Sequence, residues 1–374
     1  MLFYAMTSEG LEDALAEELK EIGLQKVQKS FLGVYFTGDM KDCMKANICS
    51  RIATRILLSL TSFRAQDPDE LYKKVYDIAF EEFITKDQTF MIHSTVWGRN
   101  FTDQRYVAMK SKDAIADRFR DKFGERPSVS KDDPDLIINI RVVDDRVDVA
   151  LDTSGDSLSL RGYRQTTVMA PLREHLAAGL LRIAGYKGTV NVVDPMCGSG
   201  TFLIEACMMA LNQYPGLNKS KFQFQKLKDY NAEDFEVLSS EYLDQEKQET
   251  ELKFYGYDID SHAVKAAKTN VHKAGFSDFI EIKRSGVDVL QAPEGKGILI
   301  VNPPYGERLS DDENLKDVYR DLGFSLKNNF KGWECWVLSG HKELVQLLGL
   351  KSTLRIPVFN GPIECRFLKY EIRP

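Results

Sequence analysis

The hydrophobic and polar positions at the start of the chain predict a small mixed unit. The apolar stretch LFYAMT is typical of a strand, and the apolar positions after it recur at helical spacing as far as Gly23. Those helical positions are Leu11, Ala14, Leu15, Leu19 and Ile22. Two short alternating stretches, around Val27 and over residues 34–36, predict two further strands. We therefore expect an α+β unit over residues 1–43.

A second region, over residues 44–155, alternates helical and β-rich patterns. Helical spacing predicts helices over residues 43–55, 68–78 and 107–123, and β-rich runs predict strands over 55–63 and 89–94. The region closes with LIINIRVV and RVDVALDTSG, which are separated by Asp144 and Asp145. Two apolar runs joined by such a turn predict a β-hairpin.

From residue 156 onward, short β-rich runs alternate with helical patterns. After a predicted helix over 171–183, the strand candidates are TVNVVD, FYGYD, FIEIKR, GILIVN and WECWVLS. This alternation favours a mostly parallel, doubly wound α/β sheet. The last two runs, TLRIPVFN and CRFLKYEI, favour an antiparallel hairpin at the edge of that sheet. Residues 211–250 interrupt the pattern with a polar, charged insert that we expect to be helical.

Length and composition allow several folded domains and exclude some classes of protein. The chain has 374 residues, of which 43% are hydrophobic and 28% charged, so two or three cores are expected and general disorder is excluded. The net charge of −6 excludes a uniformly cationic protein that coats nucleic acid, but it leaves room for a local basic face. Because no run of 18 apolar residues and no cationic leader is present, we expect a cytoplasmic protein without a membrane span.

The cysteines and histidines argue against metal chemistry. The six cysteines are scattered through the chain without a CxxC pair, and none of the five histidines lies at metal-ligand spacing. We therefore expect reduced thiols, no disulfide framework and no metal site.

A glycine turn follows the first strand of the third region. NVVD leads at once into PMCGSGT and an apolar helix, and this strand–turn–helix unit is where an open α/β sheet binds a nucleotide-like ligand. Gly198 and Gly200 would let the backbone approach a ligand, while Ser199 and Thr201 supply hydroxyl and N–H groups. The spacing differs from GxxxxGK[ST], which disfavours a triphosphate. A plain βα turn without a ligand is the alternative.

An acidic residue stands at or after the end of this strand and of each of the next two strands. Asp194 ends the first, Asp258 ends FYGYD, and Asp288 follows FIEIKR. The carboxylate of Asp258 can accept both ribose hydroxyls, and that of Asp288 can accept an exocyclic adenine amine. The alternative is that the later two are solvated loop acids, but three acids in register at strand ends favour a cofactor site.

The segment GILIVNPPYGERL places Asn302 at the carboxyl end of the fourth strand of the sheet. Pro303 and Pro304 fix the backbone and leave carbonyl oxygens exposed in the turn. The side-chain oxygen of Asn302 and the carbonyl of Pro303 can accept both hydrogens of an exocyclic amine, and Tyr305 offers a face for stacking a base. The exocyclic amines of adenine N6, cytosine N4 and guanine N2 all fit this pair of acceptors.

The reaction implied is methyl transfer from a sulfonium, which needs positioning of the nitrogen and no metal. A rigid turn without catalytic function is the alternative.

These motifs resemble those of the class I S-adenosylmethionine-dependent methyltransferases. Within that class the sequence is similar to the THUMP-domain RNA guanine-N2 methyltransferases related to the bacterial enzyme that methylates 23S ribosomal RNA. That group was long labelled as N6-adenine DNA methylases because of NPPY. The resemblance covers the whole chain and rests on LDTSGDSLSLRGYR, APLREHLAAGLL, DPMCGSGTFLIEA, GYDID and NPPYGERL. It implies a ferredoxin-like unit over 1–43, an RNA-binding THUMP domain over 44–155 and a Rossmann-like methyltransferase domain over 156–374.

The resemblance also implies a cofactor, S-adenosyl-L-methionine, with S-adenosyl-L-homocysteine as its product. The cofactor's methionine part would be lined by the glycine turn, its ribose by Asp258 with Ile259, and its adenine by Asp288. The turn residues are Asp194, Pro195, Cys197, Gly198, Ser199, Gly200 and Thr201. The target base would lie against Asn302, Pro303, Pro304 and Tyr305. Some relatives carry a second methyltransferase domain, and since this chain ends at Pro374 without one, we expect a single modification.

Two basic stretches are candidates for RNA contact. Residues 99–126 carry eight basic and five acidic side chains, among them Arg118 and Lys122, and residues 161–187 carry five basic and one acidic. The first stretch fits an amphipathic helix with paired charges equally well. In the second, we expect Arg161, Tyr163 and Arg164 to contact RNA or to anchor one domain on another.

The sequence as a whole predicts methyl transfer to guanine N2 in RNA. We expect the substrate to be 23S rRNA, either free or in an assembling large-subunit particle, with no membrane and no metal involved. One alternative is adenine N6 methylation of DNA, which NPPY also permits. The other is an RNA-binding protein that has lost its catalytic activity.

Overall fold

The computed structural model describes residues 1–166, 171–304 and 313–372. In this part of the chain, two β-sheets form the framework, one of eight strands in the N-terminal half and one of seven in the C-terminal half. Tyr305 lies outside the described residues. Among the helices that the structure describes, none is long and apolar enough to cross a membrane.

The N-terminal sheet joins the two regions that the sequence pattern separates. Its strands are β1 (Leu2–Met6), β2 (Gln25–Ser30), β3 (Gly33–Thr37), β4 (Arg55–Arg64), β5 (Thr89–Trp97), β6 (Ser128–Val129), β7 (Leu136–Val143) and β8 (Arg146–Asp152). Their order is β2-β3-β1-β4-β8-β7-β5-β6. Because β4 pairs with β1 on one side and β8 on the other, the sheet is continuous across both regions. The predicted hairpin is β7 with β8, which pair antiparallel.

Four α-helices belong to this half: α1 (Glu12–Glu21), α2 (Met40–Cys49), α3 (Pro68–Tyr76) and α4 (Gln104–Phe123). Local sequence explains where they begin. The side chain of Asp67 accepts N–H bonds from residues 69 and 70 at the start of α3, and Pro68 occupies the first helical position, where no N–H is needed. Asp39 and Asp42 form a reciprocal capping box at the start of α2.

The C-terminal half has the predicted doubly wound α/β architecture. Its elements are α5 (Glu174–Ile183), β9 (Asn191–Asp194), α6 (Thr201–Ala210), α7 (Ala232–Leu243), β10 (Phe254–Asp258), α8 (Ser261–Ala274), β11 (Ile280–Arg284), β12 (Gly297–Val301), α9 (Glu313–Asn329), β13 (Glu334–Ser339), α10 (Lys342–Gln346), β14 (Leu354–Asn360) and β15 (Ile363–Glu371). The strand order is β11-β10-β9-β12-β13-β15-β14. The first five are parallel, and the predicted hairpin of β14 and β15 is antiparallel at the edge.

The insert between α6 and β10 connects the C-terminal half to the N-terminal half. It is helical over α7, while residues 215–218 and 223–226 form short 3-10 helices. The side-chain amide of Gln223 donates to the carbonyls of Pro134 and Asp135 at 3.0 Å each. Lys226 Nζ donates to the carbonyls of Asp133 at 3.1 Å and Pro134 at 3.0 Å. The insert is therefore a packed connection between the halves, although the pattern predicted only a polar helix.

The α1 helix and the loop before it also pack on the C-terminal half. A methyl group at Gly179 of α5 would lie 2.8 Å from Leu11, so the glycine permits this close approach. His175 is 1% exposed and lies between two hydroxyls, 2.7 Å from Ser8 Oγ and 2.8 Å from Ser159 Oγ. The two halves therefore share one buried interface, which includes hydrogen bonds as well as apolar contacts.

Candidate active site

Three adjacent parallel strands end at the same edge of the C-terminal sheet. β9 lies between β10 and β12, so Asp194, Asp258 and Asn302 all stand at or just beyond neighbouring carboxyl ends. This is the edge at which open α/β sheets bind ligands. All five residues of β12 are buried, so the strand places Asn302 from a rigid, fully packed position.

The glycine turn is bonded to the end of β10. The Cys197 N–H donates to the carbonyl of Tyr257 at 2.8 Å, and the Gly198 N–H donates to Asp258 Oδ2 at 3.0 Å. A Cβ at Gly256 would lie 3.1 Å from Cys197 Sγ and 2.5 Å from a methyl of Ile282. The glycine in β10 therefore allows the turn to pack against the sheet, a role that the sequence motif did not reveal.

The turn leaves the N-terminus of α6 open to a ligand. Gly198 and Gly200 have φ of 53° and 84°, a left-handed conformation that favours glycine. Gly200 occupies the N-cap and has no side chain to bond the N–H groups of the first helical turn. Pro195, Ser199 and Thr201 are buried in this turn. These open N–H groups suit the acceptor oxygens of a ligand.

Burial governs the electrostatics of the two acids. It raises the pKa of Asp194 well above its usual range, and the nearby Asp258 raises it further, while the Met196 N–H bond at 3.1 Å opposes this. Burial also raises the pKa of Asp258, against N–H bonds from Asp260 at 2.9 Å and from Gly198. A cation bound beside these carboxyls would favour their ionised forms. The pair therefore fits a ligand that carries positive charge and hydroxyl donors.

Ile259 and Asp288 lie together beyond this pair. Ile259 is 70% exposed, and its terminal methyl lies 4.0 Å from the Cβ position of Gly286. Asp288 is exposed in the 3-10 turn Val287–Val289 that follows Gly286. An exposed isoleucine next to an exposed carboxylate offers an apolar surface and an acceptor, as an adenine ring with its amine requires. The site residues that the structure describes thus fit S-adenosylmethionine, the cofactor predicted from the sequence.

The turn after β12 holds an unsatisfied acceptor. Asn302 Oδ1 is buried and has no hydrogen-bond partner among the described residues. Pro303 is buried and Pro304 exposed. A buried acceptor without a donor costs free energy, so a ligand that donated a hydrogen bond to this atom would recover that cost. An amino group of a nucleobase is such a donor.

Tyr319 supports this turn from α9. Its hydroxyl donates to the carbonyl of Pro304 at 3.3 Å and lies 3.2 Å from Ser339 Oγ. Tyr319 is fully buried, and burial raises its pKa to about 12, so the hydroxyl stays protonated as a donor. No sequence motif marked this residue, because it meets the turn only through the packing of α9 on the sheet.

Arg161 and Tyr163 form an internal anchor, so the prediction that they contact RNA is wrong. Their side chains meet Glu205 of α6: Arg161 Nε lies 3.3 Å from Oε1, and the Tyr163 hydroxyl donates to the same oxygen at 3.2 Å. Arg161 also donates to the carbonyls of Leu158 and of Arg51, the latter at 2.5 Å. The Arg161 side chain is 2% exposed and that of Glu205 0%. Burial makes both residues inaccessible to RNA, and the alternative of interdomain anchoring is the correct one.

Arg164 is likewise turned inward, and it contacts the glycine turn. It donates to Ser199 Oγ and Thr201 Oγ1 at 3.1 Å each, and to Glu174 Oε1 at 2.9 Å. These bonds place its guanidinium beside the glycine turn, while RNA contact by this residue stays a prediction. The residue was singled out by its position at a domain junction, which does not specify which surface it faces.

The basic face of α4 is largely paired with acids of the same chain. Arg118 forms a two-pronged ion pair with Glu81, at 2.8 and 2.6 Å, and its side chain is 12% exposed. Lys122 binds the same carboxylate and is 46% exposed. These partners, with the Arg118 bond foremost, lower the pKa of Glu81 to about 2. These ion pairs favour the alternative of an amphipathic helix with paired charges, and RNA contact by Arg118 and Lys122 stays a prediction.

Three family models match the chain in succession. An RlmL ferredoxin-like domain matches residues 2–57, a THUMP domain matches residues 65–152, and an RMKL-like methyltransferase domain matches residues 161–369. The crystal structure of the methyltransferase-like protein SMU.472, which was solved in complex with SAH, superposes with a TM-score of 0.90 at 27% identity. That alignment covers 100% of this chain and 98% of SMU.472.

Curated relatives align along nearly the whole chain. The ribosomal RNA large subunit methyltransferase K/L of Syntrophotalea carbinolica is 36% identical over 382 residues, covering 99% of this chain and 53% of the relative. A Synechocystis sp. protein named among RNA methyltransferases is 35% identical over 370 residues, covering 99% of this chain and 96% of that protein. The chain thus spans about half the length of the K/L relatives that it matches. These alignments confirm the resemblance inferred from the motifs: the chain belongs to the RMKL-like methyltransferase family, with RlmL ferredoxin-like and THUMP domains ahead of the methyltransferase domain.

Proposed function

We propose that this protein transfers a methyl group from S-adenosyl-L-methionine to the exocyclic N2 of a guanine in 23S ribosomal RNA. The observation that carries the proposal is the buried Asn302 Oδ1, which has no donor among the described residues. The THUMP match and the names of the K/L relatives support RNA of the large subunit as the substrate. The SAH complex of SMU.472 supports the cofactor.

The assigned roles follow the geometry of the sheet edge. The open N-terminus of α6 and the turn over residues 194–201 would hold the methionine part, and Asp258 with Ile259 would hold the ribose. Asp288 would accept the adenine amine. We place RNA binding mainly in residues 44–155 and catalysis in 156–374, with 1–43 as the ferredoxin-like unit.

Asn302 and the Pro303 carbonyl would together accept the two amine hydrogens of the target base. This orients the nitrogen lone pair toward the methyl carbon, which the bound cofactor supplies as a sulfonium methyl. Orientation of this kind lowers the barrier without a metal or a nucleophilic side chain. The nitrogen loses its proton after attack, when its acidity has risen, so a strong general base is unnecessary.

The test is the variant Asn302→Ala, with Asn302→Asp as a comparison of similar size. We expect Ala to reduce kcat for RNA by at least a hundredfold, or about 2.7 kcal/mol, while the cofactor Kd measured by calorimetry changes less than threefold. Mass spectrometry of methylated RNA identifies the base. Unchanged turnover in Asn302→Ala would refute the mechanism. Methyladenine as the only product would favour the alternative of adenine N6 methylation. A wild-type protein that binds RNA but transfers no methyl group would favour the alternative of an RNA-binding protein without catalytic activity.

A further inference from the structure

Arg164 joins the segment after the THUMP region to the glycine turn. Nε donates to Glu174 at 2.9 Å, Nη1 donates to Ser199 Oγ at 3.1 Å, and Nη2 donates to Thr201 Oγ1 at 3.1 Å. Nη2 also donates to the carbonyl of Leu172 at 2.7 Å. The side chain is 15% exposed, so it is held in place but not sealed from the site.

One N–H group of the Arg164 guanidinium has no hydrogen-bond partner among the described residues. A guanidinium has five N–H groups, and the four bonds to Glu174, Ser199, Thr201 and Leu172 use four of them. The remaining N–H, on Nη1, has no partner among the described residues. It belongs to the same nitrogen that donates to Ser199, next to the first turn of α6.

Asn270 of α8 fixes the chain next to Arg164 on the same turn. Its side-chain amide donates to the carbonyl of Ser199 at 3.0 Å and to that of Thr166 at 3.1 Å. Its oxygen accepts the N–H groups of Gln165 at 2.9 Å and Thr166 at 3.2 Å. Because Asn270 is fully buried, Arg164 is attached to a rigid backbone and its guanidinium has little freedom to turn away.

The charges around the glycine turn differ between its two sides. Asp194 and Asp258 lie on the side of β9 and β10, where they suit cationic and hydroxyl groups. Arg164 lies on the other side, with two hydroxyls and the positive end of the α6 dipole. A single guanidinium N–H beside a helix N-terminus and two hydroxyls suits one oxygen of an anionic group such as a carboxylate.

We propose that Arg164 binds the α-carboxylate of the methionine part of the cofactor. The contact would use the Nη1 N–H that has no partner among the described residues, together with the hydroxyls of Ser199 and Thr201, which lie 3.4 Å from each other. This inference rests on the proposed cofactor and adds to it a recognition residue from outside the glycine motif. Glu174 balances part of the arginine's charge and would compete with the ligand carboxylate for it. Removing the charge of Glu174 should therefore strengthen carboxylate recognition.

The experiment compares two ligands by calorimetry on the full chain: S-adenosyl-L-homocysteine and S-adenosyl-3-thiopropylamine, which lacks the carboxylate. A charge-assisted bond predicts that the wild type prefers the first by about tenfold to a hundredfold. Arg164→Met should abolish this preference by weakening S-adenosyl-L-homocysteine only, with the Kd of the decarboxylated ligand kept within twofold. Arg164→Lys should retain part of the preference for S-adenosyl-L-homocysteine. Glu174→Gln, which keeps the side-chain shape, should increase that preference above the wild-type value.

The outcomes separate recognition from support of the turn. If Arg164→Met weakens both ligands equally, the residue only holds the turn and the proposal is overturned. A decrease in preference in Glu174→Gln would contradict it independently, even if Arg164→Met failed to fold by circular dichroism. A wild type that bound neither ligand would overturn the cofactor assignment itself, whereas a wild type that bound both equally would overturn the role of Arg164 alone.

Discussion

The buried ion pair of Arg161 with Glu205 offers a test of how the two halves of the molecule are joined. Arg161 lies between the carbonyl of Arg51 in the N-terminal half and Glu205 of α6 in the catalytic half. Burial raises the pKa of Glu205 despite the arginines near it, and it lowers the pKa of Arg51. The desolvation cost of these charges is therefore large, and each member of the network depends on the others.

The perturbation is Glu205→Ala. It removes the two carboxylate oxygens that face the Arg161 guanidinium at 3.3 and 3.5 Å, leaving only carbonyl acceptors, and it removes the acceptor of the Tyr163 hydroxyl. An unpaired buried charge costs about 3 kcal/mol and an unpaired buried hydroxyl about 1 kcal/mol, which together give about 4 kcal/mol. That sum agrees with the 3–5 kcal/mol typical of breaking a buried pair by deleting one partner. We expect the free energy of unfolding to fall by about this amount.

Urea unfolding followed by circular dichroism and tryptophan fluorescence measures this loss. Because the pair spans both halves, we also expect the single transition of the wild type to separate into two in Glu205→Ala. The double variant Arg161→Met with Glu205→Leu should recover most of the loss, since an apolar pair needs no charge compensation. Glu236→Ala, at an exposed position of α7, is the control and should change stability by less than about 0.5 kcal/mol. A loss under about 1 kcal/mol with one transition retained would refute the reasoning.

Two further predictions concern the turn after β12 and the interface histidine. Tyr319→Phe removes the donor to Pro304, so we expect kcat for RNA to fall about tenfold, or 1.4 kcal/mol, at unchanged cofactor Kd. Tyr370→Phe, at another buried tyrosine, is the control, and equal turnover in the two variants would contradict a positioning role. Burial lowers the pKa of His175 to about 3, below the unfolded value of about 6.5, so its neutral form contributes stability above pH 6.5 that is lost as pH falls. As the pH falls from 6.5 to 5, we expect the free energy of unfolding of the wild type to decline by up to about 1.4 kcal/mol per pH unit. In His175→Gln the decline should be smaller. Identical slopes of unfolding free energy against pH in the two proteins would exclude His175 as the cause.

The local patterns of the chain determined the elements and most of the candidate site at the sheet edge. Alternation of short β-rich runs with helical spacing predicted the α/β order, and the hairpin of β14 and β15 was predicted at the edge where it occurs. The same patterns placed Asp194, Asp258 and Asn302 at neighbouring strand ends. Such inferences succeed because a strand, its turn and the next helix N-terminus are neighbours in sequence, and parallel strands bring their carboxyl ends to one edge.

The tertiary structure alone decided which partner each charged or polar side chain meets. Arg161 and Glu205 are 44 residues apart, and Arg118 and Glu81 are 37 apart, so no local pattern distinguishes the buried first pair or the partly buried second pair from an exposed basic surface. The same holds for Tyr319 beneath the turn and for the insert fastened to residues 133–135. The sequence by itself determined the chemistry that gathers at the sheet edge, because that chemistry depends on short-range order. Whether an arginine anchors a domain, holds a cofactor turn or faces solvent depends on acceptors supplied by distant segments, which only folding brings within hydrogen-bond distance.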